Sequence, residues 1–275
     1  MQTKEKQDEL LALFLLFASQ VEGRIEKEVR PILRLAMLEL RQLVNELSPD
    51  GQFRIYEWQQ IQPLALPILS TISSVLRVQI PPELEVIRPK IQKAAAKYVD
   101  QPVPEQAALS SQELLEKIVI GGVTLNAILG SPGTANRLTI NMAKDLDKMV
   151  RNSLFMELPT TEIANKVVRS LERNGRTIAQ IRRGSYANQM LNRTNNTITA
   201  AVWDVANKSA RDLWSDIAAP NQQWMWLATL ENTCPICLPY HRVQRKSLKD
   251  FPFLPAVHPN CRCVVVPVVW SYLDK

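Results

Sequence analysis

All four cysteines and both histidines of this 275-residue chain lie between residues 234 and 263. In order they read Cys234-x2-Cys237, His241, then His258-x2-Cys261-x-Cys263. A two-residue gap lets both side chains of a tight turn reach one ion, and zinc takes four nitrogen or sulfur donors in a tetrahedron. Cys234 and Cys237 supply one such pair, His258 and Cys261 a second. Cys263 follows in a strand-like segment, where side chains two apart share a face, so it can substitute for Cys261 as the fourth ligand. A structural zinc is the first expectation. One or two disulfides, or a cluster of buried thiols without an ion, are the alternatives.

Catalytic uses of the same residues are more demanding. A thioredoxin-like site needs its Cys-x-x-Cys to open a helix after a strand in an α/β fold, and nothing around Cys234 has that form. Zinc deaminases place a His-x-Glu upstream of their cysteine pair; no histidine precedes Cys234 here. A zinc-supported nuclease of the His-Asn-His type needs a catalytic histidine beside a metal-binding carboxylate or a second histidine. Only His241 and His258 are available, and one of them serves better as a zinc ligand.

The rest of the chain reads as helix. Hydrophobic residues make up 46% and charged residues 22%, an ordinary globular balance, and there are only 8 glycines. Val21, Ile25, Val29, Leu33, Met37 and Leu40 recur at helical spacing, which predicts one or two helices over residues 5–47, with Pro31 as a kink or a restart. The apolar run Leu10 to Ala18 resembles the core of a signal peptide. Asp8 and Glu9 precede it with the wrong charge, however, and it falls short of the ~20 residues that span a bilayer. It is expected to start the long helix. No other segment approaches a membrane span, no membrane partner is expected, and the default compartment is a reducing cytosol.

Ser48-Pro-Asp-Gly51 predicts a stop. Residues 53–77 are expected to be helical but broken at Pro63 and Pro67, with Ile80-Pro-Pro82 as a linker and a further helix over 83–99. Gln101-Pro-Val-Pro-Glu105 marks a boundary. Ser110 and Glu113 have the spacing of a capping box and open a helix. Residues 136–158 are amphipathic. Another helix is expected from Pro159 to about Arg173, and one or two more over 179–217. Two strands are expected at the end, at 223–228 and 264–270, the second confined to an edge or split by Pro267. The fold class is thus mainly α with a small C-terminal α+β unit, its short sheet stapled by the Cys/His cluster. The expected regions are 1–104, 105–220 and 221–275. The last is too short to build much core alone and needs a staple or a neighbour.

The net charge is +6. Arg242, Arg245, Lys246 and Lys249 share one loop and are candidate nucleic-acid contacts, through salt-dependent binding to phosphates. A solvated charged loop is the plainer reading.

Four stretches, in order, resemble the phage Mu protein F-like head morphogenesis family, the minor head proteins of tailed phages. Leu191 to Asn196 (LNRTNN) is similar to the family's Ala-Arg-Thr-Glu helix, with Asn195 in the glutamate position. Gln223 to Cys237 (QWMWLATLENTCPIC) is similar to its Trp-x-Ala-Thr-x-Asp-x-x-Thr-Cys-x-x-Cys segment, with Glu231 for the aspartate. His258 to Cys263 (HPNCRC) matches as it stands, and Val264 to Val268 resembles the closing strand. The family often carries Asp-Gly where this chain has His241 and Arg242, so its tight glycine turn is not expected here. The resemblance is specific over about residues 185–270, vague over 110–184 and absent over 1–105. It implies a non-enzymatic part in head assembly, in the virion at the portal vertex or capsid interior and in the host cytoplasm during assembly. The implied partners are the portal protein, the major capsid or scaffold protein, and packaged DNA.

Overall fold

Residues whose apolar side chains recur every three or four positions form the long elements of the computed structural model. It describes residues 4–48, 50–103, 108–131, 136–173, 176–181, 183–218, 221–229, 235–255 and 261–268. The order is α1 (Lys4–Glu46), α2 (Ile55–Tyr98), α3 (Ser111–Lys117), β1 (Val119–Ile120), β2 (Val123–Thr124), α4 (Leu125–Leu129), α5 (Arg137–Phe155), α6 (Thr160–Val167), β3 (Arg169–Arg173), β4 (Arg176–Gln180), α7 (Tyr186–Ile217), β5 (Trp224–Leu227), β6 (Gln244–Arg245) and β7 (Val264–Pro267). The chain is mainly α, with a small sheet near its C-terminal end and a cysteine cluster beside it.

Three expectations need correction. First, α2 runs unbroken through Pro63, Pro67, Pro81, Pro82 and Pro89, so neither the breaks nor the Ile80-Pro-Pro82 linker exists. A proline inside a helix costs about 3 kcal/mol through its lost N–H and its clash with the preceding turn. The burial of Trp58, Ile61, Ala65, Leu69, Ile72, Leu76, Ile80, Leu84, Ile87 and Ile91 at helical spacing outweighs it. Second, α2 is by length and composition apolar enough to cross a membrane, which the sequence reading did not anticipate; a third of its most apolar stretch is buried in the fold. Third, the helix expected to reach about Arg173 ends at Val167. The chain then makes an antiparallel hairpin, β3 on β4, with Leu171 opposite Ile178 and Arg173 opposite Arg176. The following helix starts at Tyr186 rather than 179.

The chain groups into two compact units, each assembled from separate stretches. One comprises Met1–Arg24, Ile80–Leu125 and Asn196–Lys275; the other comprises Ile25–Gln79 and Asn126–Asn195. The expected boundaries at 104/105 and 220/221 both fall inside the first.

In the second unit polar ties connect the helices. The Trp58 indole N–H donates to Asp147 Oδ1 at 2.7 Å, and the Tyr186 hydroxyl donates to the Met142 carbonyl at 2.8 Å. Asn136 caps α5 by accepting from the Thr139 N–H and donates to Ser73 Oγ at 2.8 Å. Arg193 pairs with Asp145.

The first unit holds the small sheet. Ser110 and Glu113 form the capping box that opens α3. The Trp214 indole donates to the Ala95 carbonyl at 2.9 Å, and the ring of Tyr98 lies 5.9 Å from that of Trp214. Asp204, almost fully buried on α7, accepts from the Val119 N–H at 3.1 Å and from Lys208 Nζ at 2.7 Å. Burial pushes its carboxyl above the usual range, and Lys208 and the Val119 N–H only partly offset that. The sheet order is β6-β5-β7, all antiparallel, so among the described residues β7 is an edge and its Pro267 faces no further strand. The short strand β6 was not expected from the sequence.

Candidate metal centre

Strands β5 and β7 bring the two halves of the cysteine motif together. Trp224, Met225, Trp226 and Leu227 on β5 pair in register with Pro267, Val266, Val265 and Val264 on β7, and all eight are buried. Cys237 ends the turn that follows β5, and its carbonyl accepts the Tyr240 N–H at 3.1 Å in a 3-10 turn, Leu238–Tyr240. Cys261 and Cys263 lie on the extended approach to β7. Their side chains are buried while Arg262 between them turns outward to Glu22, at 3.2 Å. This alternation is that of an extended chain.

The result is a triangle of sulfurs. The Sγ atoms of Cys237, Cys261 and Cys263 all lie within 4.8 Å of one another. Cys237 and Cys261 are 3.9 Å apart, well beyond the ~2.05 Å of a disulfide, and all three cysteines are free thiols. The residues are 0%, 1% and 3% exposed. The hydrogen bond with Cys261, then burial, pushes the Cys263 thiol far above its ordinary range. Cys263 was expected to substitute for Cys261; the structure brings both to the same point. Cys234 and His258 lie outside the described residues. Three buried sulfurs this close together can hold a thiophilic metal ion.

The surroundings are better built than the sequence suggested. Trp226 centres an aromatic group, with ring centroids 5.5 Å from Tyr240, 5.9 Å from Phe251 and 5.6 Å from Phe253. Tyr240 and Phe253 lie edge to face at 5.1 Å. Such pairs contribute about 0.5–1.5 kcal/mol each beyond their burial. Helix α7 also grips the loop. Arg211 donates to the Pro255 carbonyl at 2.8 Å, and Asn207, about a turn earlier, donates to the Cys263 carbonyl at 3.0 Å.

His241 is not part of the triangle. Its Nδ1 accepts the Ala228 N–H at 3.1 Å, which puts the ring proton of the neutral imidazole on Nε2. Burial, then the charge of Arg242, lowers its pKa. In this state the ring offers a donor outward and no free base. Arg242, Arg245, Lys246 and Lys249 are all exposed, around β6 and the short 3-10 turn Leu248–Asp250. Arg242 approaches Asp8 at 4.0 Å, and Arg245 donates to the neighbouring Gln244 carbonyl.

One local expectation is reversed. Arg242 takes φ +64°, the left-handed region that favours glycine, and its N–H donates to the Trp226 carbonyl at 2.6 Å. The tight turn is therefore present without a glycine.

Compared with protein-family models, with curated proteins and with solved structures, the chain matches none.

Proposed function

We propose that the chain is a structural minor head protein of a tailed phage that acts in head assembly, at the portal or in the capsid interior, and is not an enzyme. In this reading its partners are the portal protein and the major capsid or scaffold protein, with packaged DNA as a further contact for the Arg242, Arg245, Lys246 and Lys249 loop. The cysteine cluster is architectural and holds zinc. The residues present suit that ion: three buried sulfurs and no carboxylate among them.

The observation that carries the reading is the turn at Arg242. The resembled family places glycine at that position, and the backbone here adopts a glycine conformation with arginine in its place. A local geometry that costs about 1–2 kcal/mol with a side chain is understandable as an inherited loop. The convergence of Cys237 with Cys261 and Cys263 supports the same motif order.

The test is position. Electron microscopy of intact particles from cells expressing a tagged chain should find it at the portal vertex or inside the head. Heads assembled with Cys237→Ser should form in lower yield. A chain absent from particles, or heads that assemble normally without it, would overturn the reading.

A further inference from the structure

The sequence treats Cys261 and Cys263 as alternatives for one coordination position. We propose instead that Cys237, Cys261 and Cys263 ligate a single tetrahedral thiophilic ion together. The inference rests on the cluster being a metal staple, and not on any role in a virion.

Geometry leads to it. Zinc–thiolate bonds of about 2.3 Å in a tetrahedron separate two sulfurs by about 3.8 Å. The Cys237 and Cys261 sulfurs stand 3.9 Å apart, and that of Cys263 lies within 4.8 Å of both. An ion at the centre of this triangle needs only small side-chain rotations to reach all three. The backbone is already fixed for it. Arg262 points away to Glu22, so its neighbours on either side must turn inward, and Asn207 holds the Cys263 carbonyl from α7.

The donor set also selects the ion. Sulfur ligands favour zinc and other thiophilic ions over magnesium or calcium, which take oxygen. Each thiol loses its proton as its metal bond forms, so three protons leave for each divalent ion bound at these positions. The sequence offers Cys234 and His258 for the fourth donor.

The experiment uses the full chain, purified under reducing conditions and loaded with cobalt(II), then with zinc. Stoichiometric cobalt should give a thiolate-to-cobalt charge-transfer band. In Cys237→Ser, Cys261→Ser and Cys263→Ser alike, that band should fall by one thiolate's share and zinc affinity should drop about tenfold or more. Full intensity and unchanged affinity in Cys261→Ser or Cys263→Ser would overturn the joint assignment. Where a variant fails to fold, X-ray absorption on the zinc-loaded wild type counts the sulfurs directly. Three or four at about 2.3 Å are expected, and two or fewer would sink the proposal. A wild-type chain that takes up no stoichiometric metal would remove the staple as well. Metal bound through only two sulfurs would leave the staple standing and remove only this ligand set.

Discussion

The side-chain amide of Asn207 donates at 3.0 Å to the main-chain carbonyl of Cys263, so a buried residue of α7 sets the backbone position of a cysteine 56 residues further along. The same amide also reaches the Trp203 carbonyl at 2.8 Å. Trp203 keeps its helical acceptor bond, so Asn207→Ala should deprive chiefly the Cys263 carbonyl of a donor, at a cost of about 1–3 kcal/mol. Denaturant unfolding measures that loss. A thiol reagent should also label the three cysteines faster in the variant than in the wild type. Unchanged labelling would mean that α7 does not hold the cluster in place.

Arg242 carries the strain of a left-handed backbone. Arg242→Gly should raise stability by about 1 kcal/mol, because glycine adopts this conformation freely. The lost approach to Asp8 at 4.0 Å is an exposed pair and contributes little. A lower melting temperature in the variant would show that the arginine side chain has a structural task beyond the turn.

Pro82 sits exposed inside α2, where its ring crowds the carbonyl of Val78 and no N–H is available. Pro82→Ala should stabilise the chain by about 1–3 kcal/mol, reduced somewhat by the freer unfolded state. Helicity by circular dichroism should stay the same or rise. A destabilised variant would mean that the proline shapes the helix for packing.

The Asp204 carboxyl, raised by burial, gives a pH signature. Its folded pKa exceeds the unfolded value of about 3.9, so the folded state holds the proton more tightly. That contribution to stability is fully present below the unfolded value and is lost as pH rises through the folded one. Unfolding midpoints measured across the acid range should show this downward slope, and Asp204→Asn should flatten it. An identical slope in the variant would assign the effect elsewhere.

His241 keeps Nδ1 occupied by the Ala228 N–H. The purified chain should therefore leave duplex and single-stranded DNA uncut in the presence of zinc, magnesium or manganese. Cleavage that disappears in His241→Ala, with the fold retained, would replace the assembly reading with a nuclease.

Much of the helical body was legible because burial follows spacing. Leu10, Phe14, Ala18, Val21, Ile25 and Val29 line the buried side of α1 as their intervals require. The prolines of α2 misled because local cost was visible and the compensating burial of Leu76, Ile80 and Leu84 was not. The β3–β4 hairpin was hidden for a different reason. Residues 169–173 (RSLER) lack the β-branched alternation that marks a strand, and they follow a stretch with good helix formers. At the cluster, spacing picked out the cysteines that the fold brings together, but the one-residue gap between Cys261 and Cys263 cannot tell substitutes from partners. Only the outward turn of Arg262 makes Cys261 and Cys263 neighbours in space. The grip of Asn207 and Arg211 on the loop left no mark in the sequence, since an amide and a guanidinium on a helix usually face water.

The ion pair of Glu22 with Arg262 joins residues 240 positions apart, in a unit that begins with α1 and ends with β7. On the ribosome, the start of α1 meets the end of α2 first, Glu9 with Lys97 and Arg24 with Glu83, whereas Arg262 reaches Glu22 only much later. Arrival of Cys261 and Cys263 next to β7 is thus a late folding event, and on the proposal above it is also the first moment at which the three sulfurs could capture an ion, which would tie metal supply to completion of the unit.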